Sequence, residues 1–251
     1  MSLKHNLVQI SDTHLFSDKN LSLKGSNTYS NLKKTIEAVS RLKEKPELVL
    51  LTGDLSQDYT PESYKHLKEL LEPLKIKYYL LPGNHDDVRI INKVFQYNWV
   101  KDQVDYSFEY NEWFFYFIDS TVFPNNWGEL SDKQLIDFDK MISLKKNIPI
   151  IVFMHHHPVP VRSKWIDEMA LKNADAFNKI IRKNPQIKAV LFGHVHQVFE
   201  EIIDGVFYTS APATSYQVVP RVDNFAVEKL VPGFKFISLQ DNKFSSKVIW
   251  V

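Results

Sequence analysis

Residues 47–55 are Glu-Leu-Val-Leu-Leu-Thr-Gly-Asp-Leu, an apolar run that ends abruptly in a glycine and the carboxylate of Asp54. The apolar residues 47–51 predict a short buried strand. An acidic side chain at the tip of a buried strand is costly unless a positive charge neutralises it. This stretch therefore predicts a strand that ends at a cation site.

Four other segments repeat this pattern of a hydrophobic run followed by residues that can bind a metal. They are LVQISDTH at 7–14, LLPGNHD at 80–86, IIVFMHHHP at 150–158 and VLFGHVH at 190–196. Seven of the nine histidines lie in these segments. We expect all five strand ends to converge on one dinuclear metal centre, because the two oxygens of Asp54 can hold two ions.

Length and composition bound the class of protein. At 251 residues the chain suits one large α/β domain, and we predict a single domain over residues 1–251. A net charge of +1 is too small to attract a nucleic-acid polymer or an anionic membrane through a global electrostatic field. Since there is no cysteine, disulfide bonds and thiolate chemistry are excluded.

The sequence shows no targeting or membrane segment. The N-terminus lacks a signal-peptide pattern, and the longest apolar runs, 113–118 and 148–154, are too short to span a bilayer. We therefore expect a cytoplasmic protein without a membrane partner. Its oligomeric state stays open, and a homodimer is compatible with the sequence.

Strands and helices alternate in the first half of the chain according to its hydrophobic periodicity. The predicted strands are 6–11, 47–51 and 77–81, and the predicted helices are 29–44, one that begins at Pro61, and 87–97. Such alternation predicts a parallel sheet whose functional site lies at the carboxyl ends of the strands.

The pattern changes after residue 100. Residues 104–110 and 113–119 predict an aromatic hairpin around Asn111-Glu112. The later predictions are a helix from about Ser131, a strand at 149–154, an irregular stretch at 158–173, a helix to Lys183, a strand at 189–192, and antiparallel strands at 197–203, 206–209, 233–239 and 244–250. The predicted fold class is α/β, with two mixed sheets packed face to face and helices outside.

The ligand motifs have spacings that suit metal binding. In Asp12-x-His14, positions i and i+2 after a strand point the same way and can bind one ion, and His194-x-His196 repeats this spacing after a buried strand. In Gly83-Asn84-His85-Asp86, the side-chain carbonyl of Asn84 is a neutral oxygen ligand. The adjacent His85 points elsewhere and is free to act as an acid or as a hydrogen-bond donor to phosphate. Each motif alone is equally explained by a capping carboxylate, a turn or a solvent-exposed histidine.

The triple histidine at 155–157 is ambiguous from its residues, because alternation sends neighbouring side chains to opposite sides. One or two of the three can face the site.

The five motifs, in this order, resemble the calcineurin-like metallophosphoesterase superfamily over essentially the whole chain. Within this superfamily, the chain is similar in pattern to the class III 3′,5′-cyclic-nucleotide phosphodiesterases of bacteria. The similarity lies in residues 9–15, 155–160, 193–196 and 231–234. The resemblance implies a four-layer α/β/β/α sandwich. It also implies a small-molecule phosphodiester substrate, a cyclic nucleotide with cyclic AMP favoured.

The resemblance assigns roles to individual residues. One metal ion would be bound by Asp12, His14, Asp54 and His196, and the other by Asp54, Asn84, His155 and His194. His155 is preferred to His156 because it ends its strand directly and matches the first histidine of the family motif. The implied catalytic residues are His85 and Asn84, and the implied substrate-binding residues are Asn84, His85 and His196.

The implied cofactors are two ions of manganese, iron or zinc, since an oxygen and nitrogen ligand set suits all three. Ions about 3.5–4 Å apart would bind a bridging water and lower its pKa, and the resulting hydroxide would attack phosphorus in line. His85 would protonate the leaving 3′ oxygen or hold the phosphate.

One position departs from the superfamily pattern. Phosphoprotein phosphatases of this superfamily often have an aspartate three residues after the bridging Asp54, where it orients the catalytic histidine; here the residue is Gln57. This argues against that branch, and it leaves Asp58 and Asp86 as candidates to orient His85.

Loops must select the substrate. Candidate walls of the site are Arg162, Lys164 and Trp165, then Asn125, Asn126 and Trp127, and finally Tyr216. Alternative substrates are a glycerophosphodiester or another small diester, and a phosphomonoester. A non-catalytic scaffold is disfavoured because every expected ligand is present, and a nuclease because the charge is near neutral.

Overall fold

The computed structural model describes residues 3–97, 99 and 104–251. The strands are β1 (His5–Ile10), β2 (Ser22–Leu23), β3 (Ser26–Asn27), β4 (Leu48–Thr52), β5 (Lys77–Leu81), β6 (Tyr106–Tyr110), β7 (Trp113–Phe117), β8 (Ile150–Phe153), β9 (Ile187–Phe192), β10 (Phe199–Ile203), β11 (Val206–Ser210), β12 (Gln217–Val218), β13 (Val227–Glu228), β14 (Gly233–Gln240) and β15 (Lys243–Trp250). The helices are α1 (Thr28–Ser40), α2 (Pro61–Leu71), α3 (Val88–Phe95), α4 (Asp132–Leu144), α5 (Lys164–Asp167) and α6 (Ala174–Lys183), with a 3-10 turn at Glu72–Leu74.

The first sheet has five strands in the order β15-β14-β1-β4-β5. Strands β1, β4 and β5 are parallel, whereas β14 is antiparallel to β1 and β15 to β14. The parallel strands are joined through helices, as the alternating pattern predicts. Their carboxyl ends therefore lie along one edge of the sheet.

The second sheet has six strands in the order β10-β11-β9-β8-β7-β6. Strands β7, β8, β9 and β11 are parallel, and the outer strands β6 and β10 are antiparallel to their neighbours. Both sheets are mixed, which confirms the predicted α/β class.

Three groups of buried side chains separate four layers of structure. Leu50 and Ile237 of the first sheet pack with Phe115 and Ile151 of the second, so the sheets lie face to face. The outer face of the first sheet packs against α1, α2 and α3, and that of the second against α4 and α6. The α/β/β/α arrangement follows from strand alternation, since Val49 and Leu51 face the helices while Leu48 and Leu50 face the other sheet.

A buried glutamine joins the two sheets close to the ends of their central strands. The side chain of Gln9 is fully buried, and its amide donates to the Phe192 carbonyl at 3.0 Å and to Thr52 Oγ1 at 3.1 Å. Strands β1, β4 and β9 are thereby linked just before their ligand-bearing loops.

The helix ends have clear local causes. Ser131 caps α4 through a capping box with Gln134, and Pro61 occupies the first turn of α2 after the Thr60 cap. The first helix ends at Ser40, four residues before the predicted end, where Arg41 forms the cap. Among the described residues, no helix is both long and apolar enough to cross a membrane.

Several predicted details of the fold are wrong. The irregular stretch 158–173 contains the short helix α5, and the segment between the predicted strand 6–11 and the predicted helix 29–44 contains the ribbon β2–β3. The C-terminal strands are not all antiparallel, because β11 pairs in parallel with β9. The small ribbon β12–β13 was not expected, since strands of two residues have too little periodicity to detect.

Candidate metal centre

Five of the predicted ligands lie on backbone with a left-handed conformation. The φ angles are 53° for Asp12, 44° for His14, 51° for Asp54, 70° for His194 and 48° for His196. Aspartate and histidine are more often found in this region than most residues with a side chain, yet each such residue still costs about 1–3 kcal/mol. The chain turns sharply after β1, β4 and β9, so that side chains from these three loops face one another.

The first ligand group combines two carboxylates with two imidazoles. Asp12, His14, Asp54 and His196 are buried and place one donor atom each within 4.8 Å of the others. His14 Nε2 lies 3.5 Å from Asp54 Oδ2, and His196 Nε2 lies 3.7 Å from Asp12 Oδ1. The four donors surround a space of the size that one metal ion fills.

The second ligand group faces the other oxygen of Asp54. His155, His156 and His194 place donor nitrogens within 4.8 Å of one another. His155 Nε2 lies 3.3 Å from Asp54 Oδ1 and 3.1 Å from Asn84 Oδ1. The two oxygens of Asp54 therefore point at two separate groups of donors.

Outer hydrogen bonds orient the imidazoles. The Nδ1 atom of His14 donates to Gln57 Oε1 at 2.8 Å, that of His155 to the Thr52 carbonyl at 2.8 Å, and that of His196 to the Tyr216 carbonyl at 3.0 Å. With the proton on Nδ1, the lone pair of Nε2 faces the centre, which is the arrangement of metal-binding histidines.

Burial sets the charge state of the site. It lowers the pKa of His14 to about 3 and holds the pKa of His194 well below its usual range, so both imidazoles are neutral ligands. It raises the pKa of the Asp12 carboxyl. Burial also tends to raise the pKa of Asp54, but His155 and His14 outweigh it and keep that carboxylate ionised.

The donor atoms fit cations. Asp12 Oδ2, His156 Nε2 and His194 Nε2 are buried and have no hydrogen-bond partner among the described residues. The ion-pair partners recorded for Asp12 and Asp54 are imidazoles, not lysine or arginine. Buried acceptors without donors, next to two carboxylates, are what a pair of metal ions would satisfy.

Asp86 organises the loops and does not orient His85. Its carboxylate accepts hydrogen bonds from the backbone amides of Leu55, Ser56 and Gly83 at 2.8–3.1 Å, and from the Tyr64 hydroxyl at 2.9 Å. The loops after β4 and β5 are thereby held together.

Asp58 is likewise committed to neighbouring groups, since its carboxylate accepts from the Ser17 amide and the Thr60 hydroxyl. The side chain that reaches the His85 ring is Gln57, whose Nε2 lies 3.5 Å from His85 Nδ1. The His85 amide donates to Asp54 Oδ1 at 2.8 Å, which fixes its backbone.

Two glycines let the loops approach the ligands. A Cβ atom on Gly53 would lie 2.4 Å from His155 Nδ1, and one on Gly83 would lie 2.2 Å from Asp54 Oδ1. Gly53 also has a φ of 90°, which disfavours a side chain.

The structure brings together every residue predicted for the site: Asp12, His14, Asp54, Asn84, His85, His155, His194 and His196. It adds His156, whose Nδ1 lies 2.9 Å from Ser120 Oγ and whose Nε2 faces His194. The sequence had left His156 only as a substitute for His155. Position 57 was marked as the place where related phosphatases have a histidine-orienting aspartate, but Gln57 itself was given no role. The exposed Tyr59, whose ring lies 6.3 Å from that of His85, had no pattern that marked it as a site residue.

The predicted walls differ in their position. Tyr216 contacts the first ligand group directly, with its ring centroid 4.3 Å from that of His196. In the part of the chain that the structure describes, Trp165 has no ring contact with the ligand groups; its ring packs against Phe225, with the two ring centroids 5.1 Å apart. Trp127 carries the Lys172 ammonium over its ring at 5.7 Å.

Two face-to-face mixed sheets with aspartate and histidine groups at their strand ends define a metal-dependent phosphoesterase fold. The dimetal phosphatase from Danio rerio has this fold, with a TM-score of 0.71 at 13% identity over 98% of both chains. The family model for calcineurin-like phosphoesterases matches residues 5–198. The chain belongs to the calcineurin-like phosphoesterase family.

Relatives in the family share most of the chain. The 3′,5′-cyclic-nucleotide phosphodiesterase of Nostoc sp. is 34% identical over 244 residues, which cover 97% of this chain and 91% of the relative. The 3′,5′-cyclic adenosine monophosphate phosphodiesterase of Escherichia coli is 30% identical over 233 residues, which cover 93% of this chain and 84% of the relative.

Proposed function

We propose that this protein is a metal-dependent phosphodiesterase that hydrolyses 3′,5′-cyclic nucleotides, with cyclic AMP favoured. The observation that carries the proposal is Asp54, whose two oxygens face two buried groups of metal-binding donors. The similarity to cyclic-nucleotide phosphodiesterases, which extends over 97% of the chain for the Nostoc protein, supports the substrate class.

We assign one ion to Asp12, His14, Asp54 and His196 and the other to Asp54, Asn84, His155 and His194, with His156 as a neighbour of the second ion. Manganese, iron and zinc all suit these oxygen and nitrogen donors. When bound, the ions supply charge stabilisation at phosphorus and a water of lowered pKa.

The residues of the chain position the substrate and its leaving group. The side-chain oxygen of Asn84 faces His155. His85 follows Asn84 on the same loop, and its amide donates to Asp54. Because the Gln57 amide faces His85 Nδ1, the proton of the neutral His85 ring lies on Nε2. That N–H is available as a hydrogen-bond donor to a phosphate oxygen or to the leaving 3′ oxygen, and an imidazolium form of the ring could also transfer the Nε2 proton to the leaving oxygen.

We further propose that residues 1–251 form one domain that acts on a small-molecule substrate in the cytoplasm. The side chains between the sheets support the single domain, since strands from both ends of the sequence pack there. The lack of cysteine is compatible with that compartment.

The test is the turnover of cyclic AMP by manganese-reconstituted protein, beside a glycerophosphodiester, an aryl diester and an aryl monoester. We expect efficient hydrolysis of cyclic AMP that is lost in Asn84→Ala. Turnover of another diester without cyclic AMP would keep the metal centre and reject the substrate class. Asn84-independent turnover would reject the assigned site.

A further inference from the structure

A row of aromatic rings leads outward from the first ligand group. The Tyr216 ring lies 4.3 Å from that of His196 and 6.4 Å from that of His14. The Phe225 ring lies 6.4 Å beyond Tyr216 at an interplanar angle of 73°. The row thus extends from the proposed metal ions to a side chain at the surface.

Phe225 is exposed although it is aromatic and held in place. It lies on the loop between β12 and β13, and 42% of its surface is accessible. Trp165 packs against it edge to face at 5.1 Å, and the Lys24 ammonium lies over its ring at 5.0 Å. Because Trp165 belongs to α5 and Lys24 to the turn between β2 and β3, the ring is supported by two separate segments.

The loop that carries Phe225 is also anchored through its backbone. The amide of Arg221 donates to Ser163 Oγ at 2.8 Å, which ties residues 219–226 to the segment just before α5. Ser163 is fully buried. An exposed aromatic side chain on an anchored loop is pre-organised for a flat ligand.

We infer that Phe225, together with Tyr216, is the subsite for the base of a purine nucleoside cyclic phosphate. This inference rests on the proposed function. With phosphorus at the ligand groups, the ribose would lie along Tyr216 and the base would reach Phe225. Stacking on an aromatic side chain accepts any base and favours one with a large ring system.

Tyr59 is the competing platform. It is 37% exposed, and its ring lies 6.3 Å from that of His85. The Tyr59 hydroxyl donates to the backbone carbonyl of Asn84 at 3.3 Å, which ties this ring to the loop that carries Asn84 and His85. Phe225 is favoured because the Trp165 ring supports it edge to face at 5.1 Å and the Tyr216 ring, 6.4 Å away, lies between it and the first ligand group.

The experiment compares cyclic AMP with its abasic analogue, 1-O-methylribose 3′,5′-cyclic phosphate. We expect kcat/KM of the native protein to be about tenfold higher for cyclic AMP, mainly through KM. Phe225→Ala should remove this preference and leave turnover of the analogue unchanged, whereas Phe225→Trp should keep it. Ile202→Ala, an exposed apolar change on β10, should alter neither rate.

Binding of 5′-AMP, measured by calorimetry with inorganic phosphate as the reference ligand, provides a second readout. We expect Phe225→Ala to weaken 5′-AMP about tenfold without affecting phosphate. If neither cyclic phosphate is hydrolysed, the proposed function fails and this binding comparison still decides the subsite. Equal losses for both ligands, or a base-specific loss in Tyr59→Leu instead, would overturn the inference.

Discussion

The imidazole of His14 donates its Nδ1 proton to the side-chain oxygen of Gln57 across 2.8 Å. The nitrogen of the same amide lies 3.5 Å from His85 Nδ1. One neutral side chain therefore contacts both a proposed metal ligand and the proposed phosphate donor. Where the superfamily often has an aspartate, this chain has a group that donates to His85 and accepts from His14.

Removal of this amide should weaken the metal centre. We expect Gln57→Ala to lower the affinity for manganese about 10–100-fold, because His14 loses the hydrogen bond that orients its Nε2. Titration calorimetry of the metal-free protein measures the effect. Gln57→Glu keeps an acceptor for His14 and should retain the affinity, and equal affinities for the native and alanine proteins would contradict the role.

Chelation of the metals should destabilise the fold. Bound cations would stabilise the buried carboxylates of Asp12 and Asp54 and the left-handed loops, and an ion at 1,000 times its Kd contributes about 4 kcal/mol. Scanning calorimetry with and without a chelator should show a lower Tm without metal. Asp54→Asn supplies the control, since its Tm should respond far less to the chelator, and an unchanged Tm in the native protein would reject the metal centre.

A methyl group at Gly83 should disrupt the site. Its Cβ atom would lie 2.2 Å from Asp54 Oδ1 and 2.3 Å from the Asp54 amide, so the two loops must separate. We expect Gly83→Ala to lose metal binding, measured as bound manganese per chain. Gly205→Ala is the matched control, because its Cβ meets nothing within 4 Å and its φ of 81° adds a backbone cost of about 1–2 kcal/mol without any clash at the site. Normal metal content in Gly83→Ala would be inconsistent with the geometry of the centre.

Stability should depend on pH through Asp105, whose carboxylate accepts from the Asp119 amide at 2.8 Å and from Gln134 Nε2 at 3.0 Å. Burial raises its pKa to about 6, so the folded state keeps a proton that the unfolded chain releases near pH 4. Its contribution to stability therefore falls as pH rises from about 4 to 6.

The variant that tests this is Asp105→Asn, which cannot titrate. Its free energy of unfolding relative to the native protein should rise by about 1–3 kcal/mol between pH 4 and 7. Urea unfolding in the presence of a chelator measures this difference without a metal contribution. The control is Asp223→Asn at an exposed position, whose free energy of unfolding relative to the native protein should not rise over this pH range. If that difference were constant for Asp105→Asn, the raised pKa of Asp105 would be contradicted.

Sequence patterns predicted the parts of the fold that local physics determines. Strand β5 was predicted at its observed bounds, because residues 77–81 form a β-rich run that Pro82-Gly83 ends. The ligand motifs were found because each one directly follows a buried strand. The parallel pairing of β11 with β9 could not be predicted, since the neighbour of a strand is set by packing between distant segments.

The candidate site was likewise predictable only where a local motif in the sequence marked its residues. Asp12, Asp54 and His194 carry motif signals of their own, whereas Gln57 and Phe225 gain meaning only when separate loops meet. Gln57 contacts residues 43 and 28 positions away, and Phe225 depends on Trp165 of α5 and on Lys24 of the turn between β2 and β3. No periodicity or spacing in a single sequence records such contacts.

The four hydrogen-bonded partners of Asp86 couple the two loops mechanically. Because one carboxylate accepts from the amides of Leu55 and Ser56 after β4 and of Gly83 after β5, a displacement of either loop must strain the hydrogen bonds of the other. The bridging ligand Asp54 and the loop that carries Asn84 and His85 should therefore move as one unit.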